Sequence, residues 1–137
     1  MKVTFDTNII LDVLLAREPF AEMSVQAMRL ADKGIISGFI TANTVTDISY
    51  ILSLNKLTYQ QIRKMIKELL SFVKIIDVKG RDINRALVSP VEDFEDALLA
   101  VCSSRVKSDY IITRNDKDFN ESPVPAVTPE FFLKQFA

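Results

Sequence analysis

Short apolar runs of β-branched and aromatic residues alternate along this chain with longer stretches of helical periodicity, and this alternation restricts the fold more than any other feature. The predicted strands are an opening run that ends at Phe5 and later runs within residues 35–41, 73–78, 109–112 and 126–127. Between them, apolar residues recur at helical spacing, as at Ile9, Ile10, Val13 and Leu14. This order predicts an α/β fold, a three-layer α/β/α sandwich with a central, mostly parallel sheet.

The length and composition indicate one folded domain. A chain of 137 residues can bury a sizeable core without disulfides, and we expect a single domain over residues 1–137. Its one cysteine, Cys102, follows a run of apolar residues and is predicted to be a small buried side chain. No stretch approaches the roughly 18 apolar residues of a membrane span, so we expect a cytoplasmic protein.

The chain contains no histidine, which removes Ser-His-Asp and Cys-His catalysis and any zinc site that uses histidine. Catalysis would have to rely on carboxylates, lysines, hydroxyls or a bound metal. The formal net charge is −1 and the pI is about 5.5, which is not the signature of a broad basic face for nucleic acid. A nucleic-acid substrate would therefore need a local basic patch or a bridging metal ion.

Four aspartates stand at positions where a predicted strand ends or a predicted helix begins. They are Asp6 after the first strand, Asp47 in the first turns of the third helix, Asp96 near the start of an acidic helix, and Asp118 after the strand near residue 110. Because the carboxyl ends of parallel strands meet at one edge of a sheet, these side chains can converge there. Close carboxylates repel one another, so their convergence makes sense if cations neutralise them.

Each acidic stretch also has a purely structural interpretation. Asp6, Thr7 or Asn8 would cap a helix that begins near Ile9, since such side chains accept hydrogen bonds from the first turn. The helix macrodipole favours acids at a helix start and accounts for at least two of Glu92, Asp93 and Glu95. Asp96 differs because it borders the apolar stripe of its helix, on which we also place Phe94. An all-oxygen cluster of acids would favour Mg²⁺ or Mn²⁺ and suit phosphodiester chemistry.

Four segments in this order resemble the PIN domain, particularly its small bacterial VapC-like members. They are DTNIILDVLL after the first strand, TANTVTD before the third helix, DFEDALLAVC, and TRNDKDF near the C-terminus. The resemblance implies a PIN-like α/β/α fold and a metal-dependent endoribonuclease that cleaves RNA through metal-activated water. Such proteins are often the toxin of a toxin-antitoxin pair, so the resemblance also implies an antitoxin partner and a homodimer.

The resemblance also assigns roles to residues of this chain. Asp6, Asp96 and Asp118 match the first, third and fourth metal-binding acids, with Mg²⁺ or Mn²⁺ as the cofactor. Thr113 and Asn115 match polar residues that orient the acids, water or metal, and Asn8 lies beside the first acid.

Asp47 departs from the pattern, because family members usually carry glutamate in the corresponding helix. The aspartate carboxylate reaches about 1.5 Å less far. It would then act through water, or Asp93 would compensate. Asp116 competes with Asp118 for the fourth position, and we prefer Asp118 because it precedes Phe119.

Two further questions stay open in the sequence. Arg114 and Lys117 flank the expected site and either bind substrate phosphate or are exposed loop cations. Because of Asp47 and the acidic pI, a catalytically weak PIN module that binds a partner protein or RNA is the alternative function. An aspartyl-phosphate phosphatase fits less well, since Asn8 stands where that chemistry usually has a second acid.

Overall fold

The computed structural model describes residues 1–136 and contains a five-stranded parallel sheet within that range. The strands are β1 (Lys2–Phe5), β2 (Ser37–Thr41), β3 (Val73–Ile76), β4 (Tyr110–Ile112) and β5 (Ala126–Val127). The helices are α1 (Thr7–Leu14), α2 (Ala21–Asp32), α3 (Ala42–Ser53), α4 (Tyr59–Leu69), α5 (Gly80–Leu87), α6 (Phe94–Arg105) and α7 (Pro129–Leu133). A short 3₁₀ helix covers Asp116–Phe119.

The strand order is β3-β2-β1-β4-β5, and every neighbouring pair is parallel. The chain therefore winds outward from β1 in one direction and then returns to the other side of β1. Val3 of β1 pairs with Gly38 of β2 and with Tyr110 of β4. In open α/β sheets, ligand sites lie beyond the carboxyl ends of the strands where the winding direction changes. That place is between β1 and β4, where the chain continues into Asp6 and Thr113.

Alternating strand residues point to opposite faces of the sheet, and helices cover both faces. On one face, side chains such as Val3, Phe5 and Ile40 pack with residues of α1 to α4 and α7. On the other face, Phe39 and Ile76 pack with α5 and α6. Both faces are therefore buried, as expected of a parallel sheet. The predicted α/β/α sandwich is confirmed.

Most predicted elements are present, with shifts of a few residues at their ends. Thr58 caps α4 by accepting a hydrogen bond from the Gln61 N–H, and Thr128 caps α7 in the same way with Phe131. The placement of Phe94 on the buried face of α6 is wrong, because its side chain is 45% exposed. Phe94 is the first residue of the helix and lies outside the apolar clusters that Ala97 and Leu98 enter.

One buried ion pair links α5 to α6 on the face opposite α1. Arg105 donates from Nε to Asp82 Oδ1 at 3.0 Å and from Nη2 to Asp82 Oδ2 at 2.9 Å. Burial alone would raise the pKa of Asp82, but these bonds and the Lys79 N–H hold it below its usual value. Cys102 is buried as predicted, and burial with the nearby Asp82 charge raises the pKa of its thiol to about 11. Such a thiol is not a nucleophile at neutral pH.

No helix between residues 1 and 136 combines the length and apolar character required to cross a bilayer.

Gly38 lies in β2 at a point where the sheet has no room for a side chain. A Cβ there would come within 2.8 Å of Phe5 Cε2 and 3.0 Å of Ala31 Cβ, and Phe5 is fully buried. We expect Gly38→Ala to lower the free energy of unfolding by about 1–3 kcal/mol, because the buried ring must shift. Urea unfolding followed by circular dichroism measures this. The matched control is Gly80→Ala at the start of α5, where a Cβ meets nothing within 4 Å. Equal stability of the two variants would contradict the prediction.

Candidate metal centre

Asp6 lies directly after β1 and is also the N-cap of α1. Its Oδ1 accepts a hydrogen bond from the Thr7 N–H at 2.7 Å, which satisfies one of the free donors of the first turn. Its Oδ2 accepts a hydrogen bond from the Thr113 hydroxyl at 2.8 Å. The cap therefore occupies one carboxylate oxygen and leaves the other directed at the end of β4.

Polar side chains from two strand ends hold this second oxygen in place. The Asn8 amide nitrogen lies 3.4 Å from both Asp6 Oδ2 and Thr113 Oγ1, and the Arg114 N–H donates to Asn8 Oδ1 at 3.4 Å. Thr113 is fully buried and also accepts from the Asn115 N–H at 3.1 Å. The chain after β4 is thus fastened to the start of α1 through Asp6 and Asn8, while the Asn115 side chain is exposed.

The surroundings of Asp6 disfavour its charged form. Burial raises the pKa of Asp6 above its usual value, and this effect outweighs the hydrogen bonds from Thr113 and Thr7 and the charge of Arg114. A carboxylate that is fixed in orientation but short of compensating charge is suited to receive a cation.

Asp96 lies in the first turn of α6, which Asp93 caps by accepting a hydrogen bond from the Asp96 N–H at 3.0 Å. Burial, followed by the charges of Asp6, Asp93 and Asp118, raises the pKa of Asp96 to about 6. Asp6, Asp93 and Asp118 are therefore each close enough to Asp96 for their charges to act on it. The structure therefore brings three of the predicted ligands together, and Asp93 joins them while serving as a cap.

A cavity of about 830 Å³ lies beside Asp96. Its lining includes the carboxylates of Asp93, Asp96 and Asp118 and the ammonium of Lys117. Asp118 is exposed on the short 3₁₀ helix, whereas Asp116 does not line this cavity. The structure thus places Asp118, and not Asp116, beside Asp96. Neither the sequence pattern nor the strand prediction indicated the 3₁₀ turn that produces this placement.

A second cavity, of about 370 Å³, meets the first at Asp96. It is lined by Asp6, Asn8, Asp47, Glu95, Asp96 and Asn115, among other residues. Asp47 is half-buried on α3, so the third helix does carry its acid to this edge of the sheet. Burial, a hydrogen bond with Asp47, and the charges of Asp47, Asp6 and Asp93 raise the pKa of Glu95 to about 7. Glu95 and Asp47 therefore line the same cavity, and each carboxylate acts on the other's surroundings.

Arg114 is not an exposed loop cation, which was one of its two interpretations. Its Nε donates to Oδ2 of the fully buried Asp12 at 2.7 Å, and its guanidinium lies 4.0 Å above the centre of the Phe20 ring. Arg17 also approaches Asp12, at 4.0 Å between Nη1 and Oδ1. Arg114 is thus held against α1, whereas Lys117 is exposed. A contact of either residue with substrate phosphate stays a prediction.

Sequence reasoning missed two residues of this region. Asp12 interrupts the apolar run of α1, and a buried acid in such a run signals a paired charge. Glu95 was explained by the helix macrodipole, because nothing local shows that α3 brings Asp47 next to it. In both cases the partner lies far away in the chain, at Arg114 and Asp47.

The donor set fits a hard divalent cation that keeps part of its water. Within residues 1–136, no three His, Cys, Asp or Glu side chains are arranged to hold a metal ion together as they stand. Mg²⁺ needs no such cage, since it usually binds through one or two carboxylates and retains several waters. Carboxylate oxygens with raised pKa values, and an absence of histidine and of exposed thiol among the described residues, suit Mg²⁺ or Mn²⁺ better than Zn²⁺.

A family model described as "PIN domain" matches residues 2–117 of the chain. Ribonuclease VapC1 from Aquifex aeolicus (strain VF5) is 26% identical over 140 residues, covering 98% of this chain and 95% of that protein. A toxin-antitoxin complex from Klebsiella pneumoniae contains a chain with a TM-score of 0.69 and 24% identity, covering 93% of this chain and 97% of that chain. VapBC2 from Rickettsia felis, bound to a DNA fragment from their promoter, gives a TM-score of 0.68 at 17% identity, covering 93% and 98%. The two structures support the fold.

Proposed function

The chain belongs to the PIN-domain family, and we propose that it is a divalent-metal-dependent endoribonuclease that hydrolyses phosphodiester bonds of RNA. The observation that carries this proposal is the convergence of Asp6, Asp96 and Asp118 beyond the carboxyl ends of β1 and β4. Burial, followed by the charges of Asp6, Asp93 and Asp118, raises the pKa of Asp96 to about 6. Similarity to Ribonuclease VapC1 supports RNA as the substrate.

Asp6, Asp96, Asp118 and Asp47 would hold Mg²⁺ or Mn²⁺. A divalent ion bound there would supply a water molecule of lowered pKa and would neutralise charge on the scissile phosphate. Thr113 and Asn8 keep the Asp6 carboxylate in one orientation through the contacts at its Oδ2. Lys117, which lines the larger cavity, would bind the phosphate of an adjoining nucleotide. The reaction needs no covalent intermediate on the protein.

The charge balance of the chain supports a metal in this role. A protein with a net charge of −1 and a cluster of acids at its cavity repels a polyanion unless a cation lies between them. The same argument disfavours an electrostatic RNA-binding face without metal.

The proposal extends to the biological setting. The chain would act in the cytoplasm as one domain over residues 1–137, as a homodimer, and as the toxin of a toxin-antitoxin pair. The toxin-antitoxin complex from Klebsiella pneumoniae and VapBC2 from Rickettsia felis support an antitoxin partner through their common fold with this chain. A neighbouring small gene that encodes a DNA-binding protein would support this setting.

The second candidate function is a PIN module that binds RNA or a partner protein with little catalysis. It is favoured by the short carboxylate of Asp47 and by the lack of a ready three-ligand metal cage within residues 1–136. It differs from the first in requiring no divalent ion.

The test is cleavage of a labelled single-stranded RNA by the purified chain. We expect endonucleolytic products with Mn²⁺, no products in EDTA, and recovery when Mn²⁺ is added back in excess. The Asp96→Asn variant, purified identically, should leave the RNA intact, which excludes a contaminating ribonuclease. RNA that is bound but uncut in Mn²⁺ would overturn the enzyme and favour the binding module.

A further inference from the structure

We infer that Arg17 and Tyr50 together bind one nucleotide of a single-stranded RNA, Arg17 through a phosphate and Tyr50 through the face of a base. The inference rests on the proposed function and adds two residues that lie outside the acidic cluster. Its basis is the smaller cavity, which both side chains line together with Asp6. This cavity meets the larger one at Asp96.

Arg17 supplies the positive charge of the smaller cavity. Among the described residues that line it, Arg17 is the only basic one, and Lys117 is the only basic one in the larger cavity. Because the two cavities share Asp96, a strand that crosses from one to the other meets one cation in each. RNA carries a phosphate at every nucleotide, and basic side chains position a strand through such contacts.

The backbone of Arg17 is held between the end of α1 and the start of α2. Its N–H donates to the Asp12 carbonyl at 3.0 Å, and its carbonyl accepts from the Phe20 N–H at 3.0 Å and from the Ala21 N–H at 2.8 Å. The Arg17 side chain therefore extends from a fixed point. This reduces the conformational freedom that is lost when the side chain binds a ligand.

The guanidinium of Arg17 donates no hydrogen bond to another side chain or carbonyl within residues 1–136. Its Nη1 lies 4.0 Å from Asp12 Oδ1, which is too far for a hydrogen bond, and the Arg17 side chain is 37% exposed. Arg114 differs, because it donates to Asp12 Oδ2 at 2.7 Å. Two arginines thus share one carboxylate, and the arginine that lines the cavity keeps its donors available for a phosphate.

Tyr50 supplies an aromatic ring at the same cavity. It lies on α3, one turn after Asp47, and is 64% exposed. The ring belongs to none of the apolar clusters in the described part of the chain, so packing of the core does not explain it. Proteins that bind single strands stack unpaired bases on such rings. An exposed ring at the same cavity as an available cation therefore favours a single strand over a duplex.

Fluorescence anisotropy of a labelled single-stranded RNA tests the inference. Each substitution is added to Asp96→Asn in Mn²⁺, where we expect the RNA to stay intact. Arg17→Gln should weaken binding about 10-fold, the effect of one lost hydrogen bond to a charged group. Tyr50→Ala should weaken it about 5-fold or more, the effect of one lost stacked base, whereas Tyr50→Phe keeps the ring and should bind within about twofold. Arg81→Gln is the matched control, at an exposed position of α5 that lines neither cavity, and should also bind within about twofold.

The salt dependence of binding separates a phosphate contact from a structural role. Each phosphate contact on a single strand contributes about 0.7 to the slope of log affinity against log salt concentration. Arg17→Gln should therefore reduce the magnitude of this slope by about 0.7, whereas Arg17→Lys keeps the charge and should keep the slope. If Arg17 only balanced the charge of Asp12, Arg17→Gln would lower the melting temperature and leave the slope unchanged. That result would overturn the inference.

The outcomes for these two residues and for the proposed function are distinguishable. If wild type binds RNA without cutting it, and Arg17→Gln and Tyr50→Ala both weaken binding, the inference stands and only the proposed cleavage fails. If wild type cuts RNA, and either substitution leaves binding at the level of Arg81→Gln, the cleavage stands and the inference fails. If neither wild type nor Asp96→Asn binds RNA, both fail.

Discussion

Asp96→Asn should abolish metal-dependent RNA cleavage and, in the absence of metal, make the protein more stable. The loss follows if Asp96 binds the metal directly. Indirect partners of a metal ligand already cost about 10–100-fold, so removal of a ligand should cost about 100-fold or more. The gain in stability follows because burial and the charges of Asp6, Asp93 and Asp118 act against the ionised Asp96. Asparagine keeps the shape of the side chain and removes the charge.

The stability gain should depend on pH in a defined direction. The pKa of Asp96 rises from 3.8 to about 6 on folding, so the folded state binds the proton more tightly than the unfolded state. Wild type therefore loses the Asp96 contribution to stability as the pH rises from about 4 to about 6, and this loss is removed in Asp96→Asn. Asp6 and Glu95, whose pKa values are also raised, act in both proteins. Wild type and Asp96→Asn should be equally stable near pH 3.5, apart from small differences in packing between the two side chains. Their stabilities should differ most above pH 7.

The size of the stability difference between Asp96→Asn and wild type follows from the same rise in the pKa of Asp96. At 1.36 kcal/mol per pH unit, the rise to about 6 corresponds to about 3 kcal/mol. Solvent reaches Asp96 and screens these charges. We therefore expect the free energies of unfolding of Asp96→Asn and wild type to differ by on the order of 1 kcal/mol. This is about 3–4 °C in melting temperature for a chain of this size.

Thermal unfolding in EDTA at several pH values, with cleavage assays on the same preparations, measures both effects. Glu68→Gln, at an exposed position of α4, serves as the control for loss of one negative charge. If Asp96→Asn is less stable than wild type at pH 7.5, burial and the neighbouring charges do not dominate the contribution of Asp96 to stability.

The helices and strands of this fold could be predicted from the sequence because the patterns that indicate them lie within a few residues. Apolar periodicity separates strands from helices within a few residues, and Thr58 and Thr128 mark helix starts through bonds that span three residues. The strand order β3-β2-β1-β4-β5 was not predicted, since it depends on pairings between distant segments. Periodicity alone supports a parallel sheet and leaves its order open.

The candidate site could be predicted only in part, because some of its contacts join residues that are far apart in the chain. The ends of strands point to Asp6 and to the loop that carries Asp118, whatever the strand order. That Glu95 and Asp47 line the same cavity depends on where the starts of α6 and α3 lie at one edge of the sheet. The pairing of Asp12 with Arg114 likewise joins α1 to the loop after β4. Each residue has a plausible local explanation, and only its distant partner shows what it contacts.

Asp12→Asn should destabilise the protein by about 3–5 kcal/mol, the loss expected when one partner of a buried ion pair is removed. Asp12 is fully buried, and its Oδ2 accepts the 2.7 Å hydrogen bond from Arg114. Asparagine fills the same space but leaves the half-buried guanidinium, stacked on Phe20, without its counter-charge. Because natural domains have free energies of unfolding of about 5–15 kcal/mol, this loss is a large part of the total. Urea unfolding at pH 7 measures it.

A double-variant cycle separates the ion pair from simple packing. Asp12→Leu and Arg114→Met alone should each destabilise at least as strongly as Asp12→Asn, since each leaves one charge of the pair without its partner. Asp12→Leu/Arg114→Met should recover much of the loss, because two apolar side chains need no charge compensation. Additive losses in the double variant would mean that the two side chains stabilise the protein independently.

The same pair should also affect the metal centre. The Arg114 N–H donates to Asn8 Oδ1 at 3.4 Å, and the preceding Thr113 donates to Asp6 Oδ2 at 2.8 Å. Loss of the ion pair frees the loop that carries both donors, so we expect Asp12→Asn to weaken Mn²⁺ binding several-fold under conditions in which it remains folded. Unchanged Mn²⁺ affinity in a destabilised but folded Asp12→Asn would restrict the pair to a structural role. Weakened affinity would make Asp12 a positioning residue that orients Asp6 through Arg114 and the end of β4.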